Sequence, residues 1–239
     1  MATIVERDLK DRTVGEVVAE DYARAAVFKR LGIDFCCGGD RSVPRACEQA
    51  DVGLEELADA LASADPVARR WPEPGEWEPA SLARYIVEVH HRYVRESLPV
   101  LREFAQKVER VHGKARPELG AIRERVSELA EELERHLEDE ETEVFPLIAA
   151  IAEVREAERE AALADPDALL AALEDDHEHA GTLMRQIREL SDDFTPPDRA
   201  CNTYRALYAK LHEFEEDLHR HVHMENNVLF PRARALCRD

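Results

Sequence analysis

Two segments of this 239-residue chain carry the same arrangement of chemically active side chains. His136-Leu137-Glu138-Asp139-Glu140 precedes Val144-Phe145-Pro146, and His221-Val222-His223-Met224-Glu225 precedes Leu229-Phe230-Pro231. Both read His-x3-Glu-x4-Phe-Pro. Four residues make about 400° of helical rotation, so each His and its Glu share a helix face one turn apart. Imidazole nitrogen and carboxylate oxygen suit metals of the first transition row, iron in particular. His91 and His177 complete the pattern. They lie 86 residues apart, and His136 and His221 lie 85 apart, the mark of a repeated helix pair. Four histidines and two glutamates converging inside a bundle suit two ions better than one. Carboxylates then bridge the pair, and open positions are left for oxygen, nitric oxide or an oxo bridge.

A single His-x3-Glu on a charged helix is ordinarily a solvated i,i+4 pair. Two copies in register, with matching tails and matching partner histidines, argue against that. A second ligand set competes. Glu88-x-x-His91 and Glu174-x-x-His177, taken with Glu140 and Glu225, resemble a carboxylate-rich ferritin-type centre. It leaves His136 and His221 idle, so Glu88 and Glu174 are placed outside the ligand set. Glu132 and Asp217, each four residues before a ligand histidine, and Asp176 are candidate acceptors behind the ligands. His90, His179, His219 and His223 point elsewhere on their helices and are expected to be exposed or to stand behind the ligands. His112 and His212 are expected to face solvent. Phe145 and Phe230 are expected in the core, with Pro146 and Pro231 kinking or ending their helices.

The elements that position these residues are helical. Long helical stretches are expected from about 81 to 111, 117 to 151 (with a possible break at Pro146), 167 to 190, and from Thr195-Pro196-Pro197 to about 224, with Thr195 as cap. Four stretches with short connections imply a bundle. Ahead of them lies a smaller part of short helices. Thr13 and Glu16 form a capping box before Val14, and Gly32 suits a left-handed end to the stretch Tyr22 to Leu31. Pro44 opens another helix, and Leu54, Leu57 and Leu61 mark one more. Prolines 72, 74 and 79 with Gly75 interrupt any helix, so the chain divides there. The expected organisation is a helical domain over 1–66, a linker over 67–79 and a four-helix bundle over 80–239.

The smaller part has its own chemical feature. Asp34-Phe35-Cys36-Cys37-Gly38-Gly39 reads as a turn that leaves two adjacent cysteines open. Such neighbours close a disulfide only with strain. As thiolates they can bind a soft metal, attack a partner or pass reducing equivalents. Cys47, Cys201 and Cys237 stand alone and carry no assignment.

Composition sets the outer bounds. Charged residues make up 35% and Gly only 9 positions, which favours a helix-rich globular chain. The net charge of −20 argues against nucleic-acid binding, which depends on basic contacts to phosphate. The longest apolar run, Pro146 to Ala152, is far too short to span a membrane. The chain shows no apolar signal core near its start, and its five cysteines do not suggest a secreted disulfide framework. A cytoplasmic protein is the expectation.

These residues resemble the Repair of Iron Centres family, the ScdA-like di-iron proteins, over nearly the whole chain. Asp34 to Gly39 matches the signature of that family's short N-terminal domain. Lys107-Val108-Glu109-Arg110-Val111-His112 and Glu225-Asn226-Asn227-Val228-Leu229-Phe230-Pro231-Arg232-Ala233 resemble pieces of its hemerythrin-like part. The resemblance implies an all-α fold: a hemerythrin-like four-helix bundle with a small helical N-terminal domain. It implies two non-haem iron ions, oxo- or hydroxo-bridged, with His91, His136, His177 and His221 as terminal ligands and Glu140 and Glu225 as bridges. It implies repair of iron–sulfur clusters damaged by nitric oxide or oxidants, with damaged iron–sulfur proteins as partners and nitric oxide or oxygen as small ligands. Cys36 and Cys37 become the reactive residues of the N-terminal domain. A homodimer is compatible with this reading. The alternatives are an oxygen- or nitric-oxide-binding hemerythrin-like module, or a nitric oxide reductase. Four well-placed histidines rather than five count against the oxygen carrier.

Overall fold

A computed structural model describes residues 6–63, 77–153 and 166–238. Among the described residues the structure is helical, and the one β-bridge pairs Thr13 with Ser42. The chain forms two compact units, Met1–Leu82 with Val222–Asp239, and Ala83–His221. Of the expected linker 67–79, residues 67–76 lie outside the described residues, and Pro79 already opens a helix.

The first unit contains α1 (Glu6–Leu9), α2 (Val14–Glu20), α3 (Ala25–Arg30), α4 (Val43–Ala50) and α5 (Leu54–Ser63). Thr13 caps α2 with the expected reciprocal box. Its hydroxyl accepts from the Glu16 N–H at 3.2 Å, and the Glu16 carboxylate accepts from the Thr13 N–H at 2.9 Å. Val14, Val17 and Val18 then fall on the buried face at helical spacing. A 3-10 turn, Tyr22–Arg24, leads into α3, and Gly32 ends it at φ +70°. The Gly32 N–H donates to the Lys29 carbonyl and the Ile33 N–H to the Phe28 carbonyl, a Schellman end that only a residue at ease with positive φ closes cheaply. Residues 39–43 then run back along 12–15. Gly15 donates to the Gly39 carbonyl at 2.7 Å and Val43 to the Arg12 carbonyl at 2.9 Å.

The second unit holds the bundle. A helix beginning as α6 (Pro79–Ile86) passes through a π-helical turn, Val87–His91, into α7 (Arg92–His112). The next helix is α8 (Glu118–Asp139), a π turn Glu140–Val144, and α9 (Phe145–Glu153). Then come α10 (Pro166–Leu190) and α11 (Asn202–Met224). Beyond the unit's last residue, α11 continues through a π turn, Glu225–Leu229, into α12 (Phe230–Arg238). Leu119, Ile122, Val126, Leu129, Leu133 and Leu137 form one buried stripe along α8. His91 continues the stripe of Val94, Leu98, Leu101, Ala105 and Val108 on α7. The metal-type residues are thus buried because they extend the core faces of their helices. Polar ties join neighbouring helices at the rim. Arg102 donates to Glu134 at 2.7 Å between α7 and α8, and Arg188 of α10 forks onto the buried Glu215 of α11, with its Nε at 2.8 Å.

Helix ends expected at three positions are corrected. Of the two roles expected for Pro146 and Pro231, kinking or ending their helices, ending does not occur. Each sits second in the helical segment that follows a π turn, where the hydrogen-bond register changes and a missing N–H costs least. Thr195 does not cap the fourth helix, which begins at Asn202. Asp192, Asp193 and Phe194 are all left-handed, with φ of 51°, 56° and 55°, and their turn is pinned by the Ser191 hydroxyl accepting from the Phe194 N–H at 3.1 Å. The helical bonds start later, with the Arg205 N–H donating to the Cys201 carbonyl.

Candidate metal centre and thiol turn

Four helices of the second unit each point one imidazole inward, and all four rings are buried. They meet in two pairs. Nε2 of His91 lies 3.1 Å from Nε2 of His221, and Nε2 of His136 lies 2.9 Å from Nε2 of His177. Two ligands about 2.1 Å from one ion and at right angles are about 3 Å apart, so each pair has the spacing of neighbours in one coordination shell. Glu140 stands between the pairs with no solvent exposure. One carboxylate oxygen is 3.3 Å from His91, and the other is 3.4 Å from His136 and 3.9 Å from His177. Within each of the two groups the donor atoms lie within 4.8 Å of one another. The i,i+4 spacing of His136 and Glu140 predicted their meeting, and the structure shows it.

A buried carboxylate is costly unless its charge is balanced. Here its neighbours are imidazole nitrogens, and two of those rings have their protons accounted for. Nδ1 of His91 faces Glu141 at 2.7 Å, and Nδ1 of His136 faces Asp176 at 3.3 Å. A carboxylate behind Nδ1 places the proton there and leaves the Nε2 lone pair directed inward. The donor set is that of a cation site. Glu225 opens the third π turn one helical turn beyond His221, as Glu140 stands beyond His136, and it too is fully buried.

Of the three groups expected behind the ligands, Asp176 takes that place and Glu132 and Asp217 do not. Glu132 pairs with Arg135 at 3.0 Å, and Asp217 accepts from Nδ1 of His90 at 3.0 Å rather than serving His221. A residue four positions back lies on the same helix, one turn below, whereas an inward imidazole reaches across to a neighbouring helix. Asp176 does so for His136, and Glu141 does so for His91. Glu141 escaped the sequence reading because its neighbour Glu140 already faces inward, and adjacent residues of an α-helix diverge by about 100°; the π turn changes that facing. Burial pushes the Glu141 carboxyl up, but its hydrogen bonds to Arg95 and His91 outweigh this and hold it below the usual range. His90 is buried, not exposed, and stacks on His221 with ring centroids 5.7 Å apart. Glu88 is exposed, in keeping with its exclusion from the ligand set, while Glu174 is half-buried. His112 is half-buried with Nε2 3.2 Å from Sγ of Cys201, so neither is isolated, whereas His179 and His212 are exposed.

The cysteine turn belongs to the first unit, and it is not open as expected. Cys36, Gly38 and Gly39 are buried and Cys37 half-buried. Both cysteines are thiols, with Sγ atoms 3.9 Å apart. Asp34 Oδ1 accepts from the backbone N–H of Cys36 and of Cys37, each at 3.1 Å, and lies 3.4 Å from Sγ of Cys36. The proximity of Cys37, burial, and the Asp34 charge push the Cys36 thiol well above its ordinary range. The turn is covered by the π turn Glu225–Leu229. The Asn227 amide donates to the Cys36 carbonyl at 3.0 Å and to the Phe35 carbonyl at 3.4 Å. A Cβ on Gly39 would lie 2.0 Å from the Asn227 side-chain oxygen, and one on Gly15 would lie 2.1 Å away. The glycines therefore serve close approach rather than openness. His223 packs against Phe35 and Tyr22, and burial lowers it to about 4 despite the Phe35 carbonyl, so the ring stays neutral. Nothing in the sequence singled out Asn227 within the matched segment.

Residues 82–233 match the Hemerythrin HHE cation binding domain, and residues 10–65 match ScdA_N, a domain of unknown function. The iron-sulfur cluster repair protein YtfE of Pectobacterium atrosepticum is 34% identical over 227 residues, covering 94% of this chain and 97% of that protein. The chain belongs to the Repair of Iron Centres family. Further family members bearing the same name include those of Edwardsiella ictaluri, 37% identical over 94% of this chain and 97% of that one, and Yersinia pestis, 32% identical over 95% and 98%. The all-α, hemerythrin-like architecture is the family's. The buried His and Glu groups fit a cation-binding domain.

Proposed function

We propose that this protein repairs damaged iron–sulfur clusters, as the name of its relatives states of them, and that it does so with two non-haem iron ions held in the bundle. The observation that carries this reading is the division of the Glu140 carboxylate between two imidazole pairs. His91 and His221 would hold one ion and His136 and His177 the other. Glu140, between the two pairs, and Glu225, placed beyond His221 as Glu140 is beyond His136, would be the carboxylates that complete the site. Bound ferrous ions supply Lewis acidity, one-electron chemistry and open positions for nitric oxide or oxygen, and they are also the iron that a damaged cluster needs. The protein's own part is to orient. Glu141 and Asp176 fix the proton on Nδ1 of His91 and His136, so that each Nε2 faces its ion. Leu133, Leu137 and Val144 are buried along the ligand helix and keep water from its core face.

Cys36 and Cys37 are the reactive thiols of the N-terminal domain, with the half-buried Cys37 as the accessible one. Damaged iron–sulfur proteins are the partners and the cytoplasm the site of action. Among the described residues no helix is long and apolar enough to cross a membrane. The test is reactivation of a nitric-oxide-damaged cluster enzyme by iron-loaded protein, metal-free protein and the His136→Ala variant, with iron counted in each. Reactivation confined to the loaded wild-type protein is expected. Equal reactivation by metal-free protein would overturn the proposal.

A further inference from the structure

The turn Asp34–Cys37 brings together a carboxylate and two thiols, all offering donor atoms within 4.8 Å of one another. The distances are those of a coordination shell. A tetrahedral ion with sulfur at about 2.3 Å and oxygen at about 2.0–2.2 Å has S···S edges of about 3.8 Å and S···O edges of about 3.5 Å. The observed separations are 3.9 Å between the two Sγ atoms and 3.4 Å between Sγ of Cys36 and Oδ1 of Asp34. This spacing is built by the fold. The two backbone N–H groups donating to Asp34 hold the carboxylate beneath the turn, and Asn227 and Asn226 hold the Cys36 carbonyl from the other side, at 3.0 and 3.5 Å. Adjacent thiols kept nearly 4 Å apart are too far for a disulfide, whose sulfurs are about 2 Å apart, and well placed for a shared ion.

We propose that Asp34, Cys36 and Cys37 form a second metal site, for one thiophilic divalent cation of the first transition row such as Fe2+ or Co2+. This deepens the reading of the cysteine pair as the reactive thiols. As each metal–sulfur bond forms, the S–H bond breaks and its proton leaves to solvent; no electron changes hands. Two thiolates and one carboxylate balance the ion's charge with one negative charge in excess. Three protein ligands leave the fourth tetrahedral position to water or to an incoming donor, the arrangement of a site that exchanges its ligand. Cys37, only half-buried, gives access to it.

The probe is Co2+, added without oxygen to the iron-loaded full-length protein. Thiolate-to-cobalt charge-transfer absorption reports sulfur ligation, and the His and Glu donors of the bundle cannot produce it. One equivalent of cobalt with that absorption is expected. Cys37→Ser should abolish it. Asp34→Asn, which keeps the oxygen that accepts from the turn, should weaken cobalt at least about tenfold. His136→Ala should leave the signal intact while iron is lost, so failure of the bundle reading and failure of this one are separable. A companion measurement needs no variant: cobalt should slow alkylation of Cys36 and Cys37 in the wild-type protein, mapped by mass spectrometry. Absence of the charge-transfer band, its persistence in Cys37→Ser, or unaltered alkylation would each overturn the proposal.

Discussion

Replacing Glu141 by Gln probes the part of the centre that the chain itself supplies. The carboxylate lies 2.7 Å from Nδ1 of His91 and 2.6 Å from Arg95, and its side chain is 26% exposed. A short hydrogen bond to a charged acceptor raises the basicity of the imidazole and fixes its tautomer. Loss of such a partner typically weakens metal binding 10–100-fold. Partial exposure screens the charge, and Gln keeps an acceptor, so the low end applies: about tenfold, or about 1.4 kcal/mol. The counterpart at His136 is weaker. Asp176 is 3.3 Å away and also engaged by Arg135 at 3.2 Å, so Asp176→Asn should cost only a few-fold. The two proposed ions should therefore come apart in order. In a titration with a coloured ferrous chelator, Glu141→Gln should release about one iron per chain at chelator concentrations that leave wild type loaded, with the second iron retained. Simultaneous loss of both ions, unchanged retention, or a larger effect from Asp176→Asn would refute the assignment of unequal support.

Gly39→Ala places a Cβ 2.0 Å from the Asn227 side-chain oxygen, and such overpacking should lower stability by about 1–3 kcal/mol in thermal or denaturant unfolding, while alanine at the open Gly32 is strained only by its φ of +70°. Asn227→Asp removes the donor from the Cys36 and Phe35 carbonyls, and alkylation of Cys36 should quicken about tenfold, as read by timed iodoacetamide labelling. Arg188→Ala removes the fork onto the buried Glu215 and should destabilise the bundle by about 3 kcal/mol, with iron stoichiometry unchanged in the folded fraction. Stripping the metal should lower the calorimetric Tm, since ions that bind only the folded state stabilise it by mass action, and restoring ferrous iron should reverse the change.

Much of this was legible in the residues. Thr13 with Glu16, and Gly32 after Leu31, mark their helix ends through local hydrogen bonds that need no tertiary context. The pairing of His136 with Glu140 follows from a period of 3.6, and the 86- and 85-residue intervals placed the other histidines. What escaped the sequence reading depends on contacts across helices. No local rule says that Asp217 serves His90 or that Glu141 serves His91, because each reaches to a neighbouring helix. Asn227 is likewise ordinary in its own helix and becomes informative only against Gly15 and Gly39. The prolines of the two Phe-Pro tails are the available signal for the π turns, but proline in a helical stretch ordinarily reads as a kink or an end because an α-helix interior has no room for it.

Among the described residues, three five-residue turns of widened helix interrupt otherwise regular rods, and each contains one of the proposed metal ligands: His91, Glu140 and Glu225. Such a turn absorbs one extra residue without breaking the rod. Deleting that residue from any of them would close the rod into an unbroken α-helical ladder and keep the flanking faces in place, while the side chains inside the turn would shift around the axis. The widened turns thus set the facing of His91, Glu140 and Glu225 independently of the rods on either side.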